Sequence, residues 1–536
     1  MKLDEVGITN IEWNKKNYQL PKFDRKKIAE LTKKEPEWIH FGAGNIFRAF
    51  QANVVQKLLE CGVLKKGLIV AEGYDYEIIE KIYRPYDNYH ILVTLKSNGE
   101  IEKKVIGSIV ESLELNEENS NDFNRLNKIF RQSSLKMASF TITEKGYSLV
   151  DNDNQYFGAV LLDMENGPKH PISYMGKITA LLYERFKNGR YPIAMVSMDN
   201  CSHNGDKLFN AVNAFAKAWV ANNCVPKEFI DYVKNPQEVS FPWTMIDKIT
   251  PRPDNQVAKI LEEDGIEDGG ALITTKNTYT APFVNAEESE YLVIEDNFPN
   301  GKIELTSGGV IYTDRITVDR VEKMKVCTCL NPLHTTLAIF GCLLGYNLIS
   351  KEMELPVLKQ LVLKIGYDEG LPVVVDPKII DPEDFINEVI NFRIPNPFMP
   401  DTPQRIATDT SQKLAIRFGE TLKAYQANNL SVKELKYIPL VFAGWLRYLM
   451  GIDDNGDKFE LSADPLLNTL LPHISNFTLT NDFQDVHQAV KPILSDERIF
   501  GIDLYHIGIG DLVEQYFSEM ITSPGAVLKT IEKYVL

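Results

Sequence analysis

An α/β unit followed by a mostly helical one is what this sequence predicts, on three observations. Residues 38–63, "WIHFGAGNIFRAFQANVVQKLLECGV", run from a short apolar stretch through two glycines into a helical pattern with Ile46, Phe50, Val54 and Leu58 at helical spacing. Further apolar runs, each ending in polar residues, follow in the first half of the chain. From about residue 325 the texture becomes helical throughout. A chain of 536 residues is too long for one core. The boundary is set at residues 318 and 319, giving an α/β domain over 1–318 and a mostly α-helical domain over 319–536.

The elements follow in order. After the glycine turn and its helix, Gly67 precedes "LIVAEGYD", a buried strand ending in acidic residues, so strand, turn, helix and strand make a βαβ unit. "KMASFTITEKGYSLV" and "YPIAMVSMDN" read as two more strands whose polar ends face the functional side of a parallel sheet. Beyond them "TTLAIFGCLLGYNLI", "VLKQLVLKIGY", "DPEDFINEVINFRI", "DTSQKLAIRFGETLKAYQ" and "KELKYIPLVFAGWLRYLMG" carry the helical period.

Bulk properties narrow the function. Hydrophobic residues make up 44% and charged residues 25%, ordinary for a globular protein. The net charge of -16 repels nucleic acid and anionic lipid, and it leaves an anionic small substrate dependent on a local basic pocket. Six irregularly spaced cysteines fit reduced thiols in a cytoplasm rather than a disulfide framework. The N-terminus shows no apolar secretory region, and no run of about eighteen apolar residues suggests a membrane span. The number of subunits is left open.

"GAGNIFR" is the turn of a Rossmann-like dinucleotide-binding domain in outline. Gly42 permits the tight turn and Gly44 lets the backbone approach a pyrophosphate at the helix N-terminus, while Phe47 stands where a third glycine belongs. Gly42, Gly44, Asn45, Ile46 and Arg48 are the candidate cofactor contacts of this turn. An acid about 20 residues on is expected to hold the ribose hydroxyls, and Glu72 and Asp75 both qualify. An acid there favours NAD over NADP, because it repels a 2'-phosphate.

The densest chemistry lies in "MKVCTCLNPLHTTLAIFG", residues 324–341. Cys327, Cys329 and His334 lack the spacing of a zinc site, and C-x-C is no redox pair, so the cysteines read as small buried hydrophobes and no metal is expected. Asn331 before Pro332 reads as a helix N-cap with His334 in the first turn, and Lys325 is expected just upstream in extended or irregular chain. A lysine, an amide and an imidazole at one helix N-terminus can converge on a single oxygen. The lysine then exchanges the alcohol proton while the amide and imidazole donate hydrogen bonds to the alkoxide.

Taken together, "FGAGNIFRAFQ", "SFTITEKGYSL", "SMDNCSHNG", "FPWTMIDKITP", "VIEDNFPNG", "LNPLH", "RIPNPFMPDTPQRIATDTSQKL" and "VFAGWLRYLMGID", in this order, resemble the long-chain polyol and sugar-acid dehydrogenases, the mannitol dehydrogenase family. The resemblance spans nearly the whole chain. It implies a metal-independent oxidoreductase with an extended dinucleotide-binding domain and a helical substrate domain. By motif, Lys325 resembles the general acid/base, Asn331 and His334 its hydrogen-bonding partners, Asn200 a second amide on the reacting oxygen, and Glu322 an acid linked to the lysine. Arg405 and Lys413 resemble the substrate-binding cations. The family separates lysine and asparagine by five positions, whereas Lys325 and Asn331 differ by six, so one residue must be absorbed as a bulge or irregular segment, and Lys323 competes for the role.

The implied reaction is hydride transfer between NADH and the keto group of a linear hexuronate, in the direction fructuronate to D-mannonate. Tagaturonate reduction and mannitol 2-dehydrogenation are the alternatives within the family. Outside it stand a non-catalytic NAD-binding sensor and an epimerase that uses NAD transiently.

Overall fold

The computed structural model describes residues 1–480 and 485–536. The chain divides into two compact units, Met1–Lys96 with Glu100–Asp319, and Ser97–Gly99 with Arg320–Leu536.

The first unit is organised by six parallel strands: β1 (Trp38–Phe41), β2 (Leu68–Glu72), β3 (Ile109–Glu114), β4 (Met137–Phe140), β5 (Ile193–Ser197) and β6 (Val239–Ser240), in the order β3-β2-β1-β4-β5-β6. Every residue of β1, β2, β4 and β5 is buried, as expected for a parallel sheet covered on both faces. The alternation of side chains sorts the core into two halves. Ile39, Phe41, Ile69, Ala138 and Met195 face helices α2 (Ser120–Phe130), α3 (Tyr174–Lys187) and α4 (Asn204–Ala221), whereas Trp38, Leu68, Val70, Met137 and Val196 pack with α1 (Ala52–Glu60). The chain order reverses between β1 and β4, and in open α/β sheets that switch point is where a ligand binds. The β1–α1–β2 crossover read from the sequence is present, with Ile39 opposite Ile69. The long run around "TITEKGY" is only partly strand: β4 stops at Phe140, and Thr143–Tyr147 is a short helix.

The second unit is helical where the periodicity placed helices, but several helices pass through π-turns, at Lys325–Cys329, Lys364–Gly370, Val389–Arg393 and Ala415–Gly419. Residues Arg315–Leu343 run as one helix of 29 residues, comprising α5 (Arg315–Met324), the first of those π-turns and α6 (Asn331–Leu343). It is long and apolar enough to cross a membrane, yet 83% of its most apolar window is packed inside the protein, so its apolarity is that of a core helix. It packs against α7 (Tyr437–Tyr448), whose Gly444 leaves room for the Phe340 ring.

Glu352 is an unusual member of this core. Its side chain is fully buried against Gly341 of α6, where a Cβ would come within 2.1 Å of Oε1, and neither carboxyl oxygen has a hydrogen-bond partner among the described residues. Burial pushes its pKa up to about 9 from 4.5, so the folded chain holds a proton here at neutral pH. Across that window the unfolded chain has released the proton and the folded chain has not, so this group makes stability fall as pH rises, by at most about 1.4 kcal/mol per pH unit. Glu352→Gln keeps the shape and removes the titration. Its melting temperature is expected to decline less than the native chain's between pH values of about 6 and 9; parallel declines in a thermal melt series would refute the assignment.

Candidate active site

The glycine turn is held by devices visible only in three dimensions. Gly42 has φ +107°, and a Cβ there would lie 2.2 Å from the Thr141 carbonyl oxygen, so the turn at the end of β1 admits glycine alone. Gly44 is the opposite case: a Cβ would meet nothing within 4 Å, which leaves a cradle open to a pyrophosphate at the helix start. Glu72, at the end of β2, accepts from the backbone N–H of Ala43 (2.8 Å), Gly73 (3.0 Å), Tyr74 (2.8 Å) and Asp75 (3.2 Å). Its carboxylate therefore clamps the turn to the second strand. Asp75 is buried and accepts from Thr274 Oγ1 at 2.6 Å.

Arg48 is also buried, and its guanidinium lies beneath the turn, donating to the Ala281 carbonyl (2.6 Å) and to Asn45 Oδ1 (2.7 Å). It braces Asn45, whose amide reaches the Pro251 carbonyl at 3.4 Å. Phe47, in the place of the third glycine, stacks on His40 of β1 with ring centroids 4.1 Å apart. That imidazole lies between Ser139 Oγ (2.7 Å) and Thr141 Oγ1 (2.8 Å), and burial pushes its pKa down to about 3, so it stays neutral. The aromatic pair fills the space between helix and sheet that a glycine would close.

Next to this turn, at the ends of β4 and β5, the same unit holds a cavity of about 300 Å³ lined by Ile46, Thr143, Met198, Asp199, Asn200 and Lys248, among others. Thr143 has φ +65°, a strained conformation for a β-branched residue. Asp199 enforces it, accepting from the backbone N–H of Thr143 (2.9 Å) and Ile142 (3.0 Å) and from the Tyr147 hydroxyl (2.5 Å). Burial raises the Asp199 carboxyl above the usual range, against these hydrogen bonds. Asn200 was a candidate from the sequence; Thr143, Asp199 and Lys248 were not singled out, although Thr143 and Asp199 lie in "SFTIT" and "VSMDN", at strand ends where functional groups gather, and Lys248 directly follows the strand Thr244–Asp247.

In the helical unit the lysine segment differs from expectation. Lys325 is not in extended chain; it opens the π-turn Lys325–Cys329, closed by the bond from the Leu330 N–H to the Lys325 carbonyl at 3.1 Å. A π-turn holds one residue more than an α-turn, so it takes up the residue by which Lys325 and Asn331 exceed the family spacing. The helix therefore continues through "KVCTC" into α6, and Asn331 is its first residue rather than its cap. Pro332 lacks an N–H in any case, and the amide of Asn331 makes no hydrogen bond among the described residues. Lys325 is 3% exposed, whereas Lys323 is an exposed side chain. Glu322 lies one turn before Lys325, half-buried.

Cys329 is buried, its Sγ 3.8 Å from the Pro382 carbonyl, and burial pushes its thiol up to about 12, so it is a packed, protonated side chain. Among the described residues His487, Asp511 and Glu514 alone have a metal-ligand spacing, and His487 Nδ1 already meets Glu514 at 2.7 Å.

His334 sits in a cationic neighbourhood. Burial pushes its pKa down to about 4; Asp401 opposes this, while Arg393, Arg417 and Arg405 reinforce it. Its imidazole is neutral at pH 7, able to donate one hydrogen bond and no charge. Arg405 is exposed along 63% of its side chain, pairs with Asp401, and lines a groove of about 670 Å³ with Gln404 and Thr408. Lys413 donates to the carbonyls of Thr408 and Ile406, and burial, then Arg417, lowers its pKa. Arg393 and Arg417 were missed by sequence reading; each sits in a helical pattern, where an arginine gives no sign of which way it points.

Comparison with known proteins adds independent findings. The model of the mannitol dehydrogenase Rossmann domain matches residues 36–307, and that of the mannitol dehydrogenase C-terminal domain matches residues 317–516. A D-mannonate oxidoreductase of Thermotoga maritima is 52% identical over 526 residues, 98% of this chain and 97% of its own. A D-mannonate oxidoreductase of Escherichia coli is 27% identical over 491 residues, 88% of this chain and 90% of its own. The solved structure of Pseudomonas fluorescens mannitol 2-dehydrogenase, in ternary complex with NAD and D-mannitol, matches with a TM-score of 0.70 at 25% identity, covering 99% of each chain.

Proposed function

Because the chain belongs to the mannitol dehydrogenase family, we propose that it is an NAD-dependent oxidoreductase that reduces the keto group of a linear hexuronate, fructuronate to D-mannonate. The observation that carries the hexuronate reading is Arg417, held on Thr335 next to His334 with no carboxylate of the described residues paired to it, in a chain of net charge -16. A guanidinium without a paired carboxylate, held against that field, is the kind of group an anionic substrate needs. The T. maritima relative, named a D-mannonate oxidoreductase, supports the same substrate class.

The open cradle at Gly44, the clamp of Glu72 and the helix start at Asn45 fit a dinucleotide, and Gly42, Asn45, Ile46 and Arg48 shape the turn that would hold it. We assign Asp75 the ribose hydroxyls, because Glu72 is committed to backbone N–H groups. NADH, when bound, supplies the hydride. In the reduction, Lys325 Nζ gives its proton to the forming alkoxide. The unengaged amide of Asn331 and the neutral imidazole of His334 donate hydrogen bonds to that oxygen as its charge develops. Asn200 is proposed as a further amide donor and Glu322 as the acid that assists Lys325. Six free thiols support a cytoplasmic setting.

Absorbance at the NADH band with fructuronate, tagaturonate and fructose tests this directly. Oxidation of NADH with fructuronate in preference to the other two is the expected result. Preference for tagaturonate would move the stereocentre, and turnover of fructose alone would replace the hexuronate by a neutral ketose.

A further inference from the structure

Resting on the hexuronate reading, we infer that Arg417, together with Lys413, forms the receptor for the substrate carboxylate, and that Arg417 sets the preference for an acid over a neutral ketose. Lys413 and Arg417 are one turn apart, joined by the bond from the Arg417 N–H to the Lys413 carbonyl at 2.9 Å. Two like charges at this spacing repel each other, and no carboxylate of the described residues pairs with either. The nearest acids to Lys413 are Asp409 and Asp464, and Asp464 is engaged by the Ser411 and Leu466 N–H groups at 2.8 and 3.0 Å and by the Ser411 hydroxyl. Among the described residues no carboxylate is paired with either cation, which leaves the pair open to an anionic ligand.

Arg417 is aimed at the site. Its Nη1 donates to Thr335 Oγ1, on the residue next to His334, and Thr335 Oγ1 in turn donates to the Asn331 carbonyl at 2.9 Å. One edge of the guanidinium is thus fixed to the segment that holds the reacting oxygen. Its remaining N–H groups have no partner among the described residues. A planar fork with one anchored edge can take a carboxylate in bidentate fashion with little further ordering. Arg405, by contrast, is already paired with Asp401 and mostly exposed, a geometry in which an ion pair contributes little. In a linear hexuronate the ketone and the carboxylate lie toward opposite ends, so a receptor beside the Asn331–His334 segment, distinct from the groups on the reacting oxygen, matches the substrate's length-wise polarity.

The experiment measures kcat and KM for fructuronate, fructose and NADH in the native enzyme, Arg417→Met and Arg417→Lys. In Arg417→Met the KM for fructuronate is expected to rise roughly ten- to a hundredfold, with kcat and the KM for NADH little changed. Its kcat/KM for fructose should fall far less than that for fructuronate, and Arg417→Lys should fall between. If fructuronate and fructose lose equally, Arg417 has only a structural role and the inference fails. If the native enzyme does not favour fructuronate, the hexuronate reading falls instead. Should Arg417→Met not fold, calorimetry of D-mannonate binding to Arg417→Lys in the presence of NADH decides, because the lysine keeps the charge and loses the fork. Native affinity there would overturn the assignment; affinity weakened several-fold, with unchanged NADH binding, would sustain it.

Discussion

Lys325→Ala is expected to lower kcat by about 10² to 10⁴, the range lost with a positioned proton donor, while the NADH dissociation constant stays near the native value. The burial pattern makes this a discriminating test. Lys325 is 3% exposed in the π-turn, whereas Lys323, two residues back on the same helix, faces solvent. Burial, which sequence spacing does not encode, is what separates the two lysines. Lys323→Ala is therefore expected to leave both parameters alone. The alanine variants differ little in helix propensity from lysine, so a thermal melt should show both folded, with any loss in Lys325→Ala confined to the packing of the aliphatic stem. Pre-steady-state mixing with fructuronate separates the causes: loss of the hydride-transfer phase in Lys325→Ala, with NADH fluorescence titrating normally, identifies the proton donor. Loss in Lys323→Ala instead would reverse the assignment.

The lysine segment also shows where sequence reading reaches its limit. Residue types and order located Lys325, Asn331 and His334, and the count of residues exposed a surplus of one, with a bulge among the ways to absorb it. Spacing alone favoured a helix capped by Asn331 and beginning at Pro332, because asparagine before proline is a strong start signal. The surplus was instead absorbed inside a continuous helix by changing its hydrogen-bond period, which neither propensity nor pattern encodes. The parallel sheet was legible because fully buried strands read as apolar runs between turn residues. What fixed the glycine turn was less so. Glu72 was one of two equivalent acids in "VAEGYD", and only the direction of its carboxylate, toward four backbone N–H groups, gives it the clamping role. Arg48, a candidate cofactor contact by its place in the turn, is held beneath it. Arg417 was silent because a cation in a helical pattern is most often solvated, and its meaning lies in having no paired acid among the described residues.

Gly42 and Gly44 sit two residues apart in one motif, and their alanine variants should fail in different ways. Gly42→Ala must hold an L-residue at φ +107° with its Cβ 2.2 Å from the Thr141 carbonyl oxygen. The left-handed backbone alone costs about 1–2 kcal/mol, and backbone on both sides of the contact leaves no flexible side chain to yield. The turn must therefore shift, and with it the Ala43 N–H that Glu72 holds and the Thr141 hydroxyl that meets His40. A lowered melting temperature together with weakened NADH binding is expected. Gly44→Ala meets no atom within 4 Å and has an ordinary φ, so its melting temperature should stay native or rise slightly, as the unfolded chain loses freedom. Its methyl group would stand in the open cradle, in the path of the pyrophosphate, and the NADH dissociation constant is expected to rise at least tenfold, about 1.4 kcal/mol or more. Calorimetry and fluorescence titration on the two variants check this. If Gly44→Ala binds NADH normally, the pyrophosphate does not approach that face of the turn, and the cradle belongs to some other contact. If Gly42→Ala is as stable as the native chain, the tightness of the turn is not what requires glycine there.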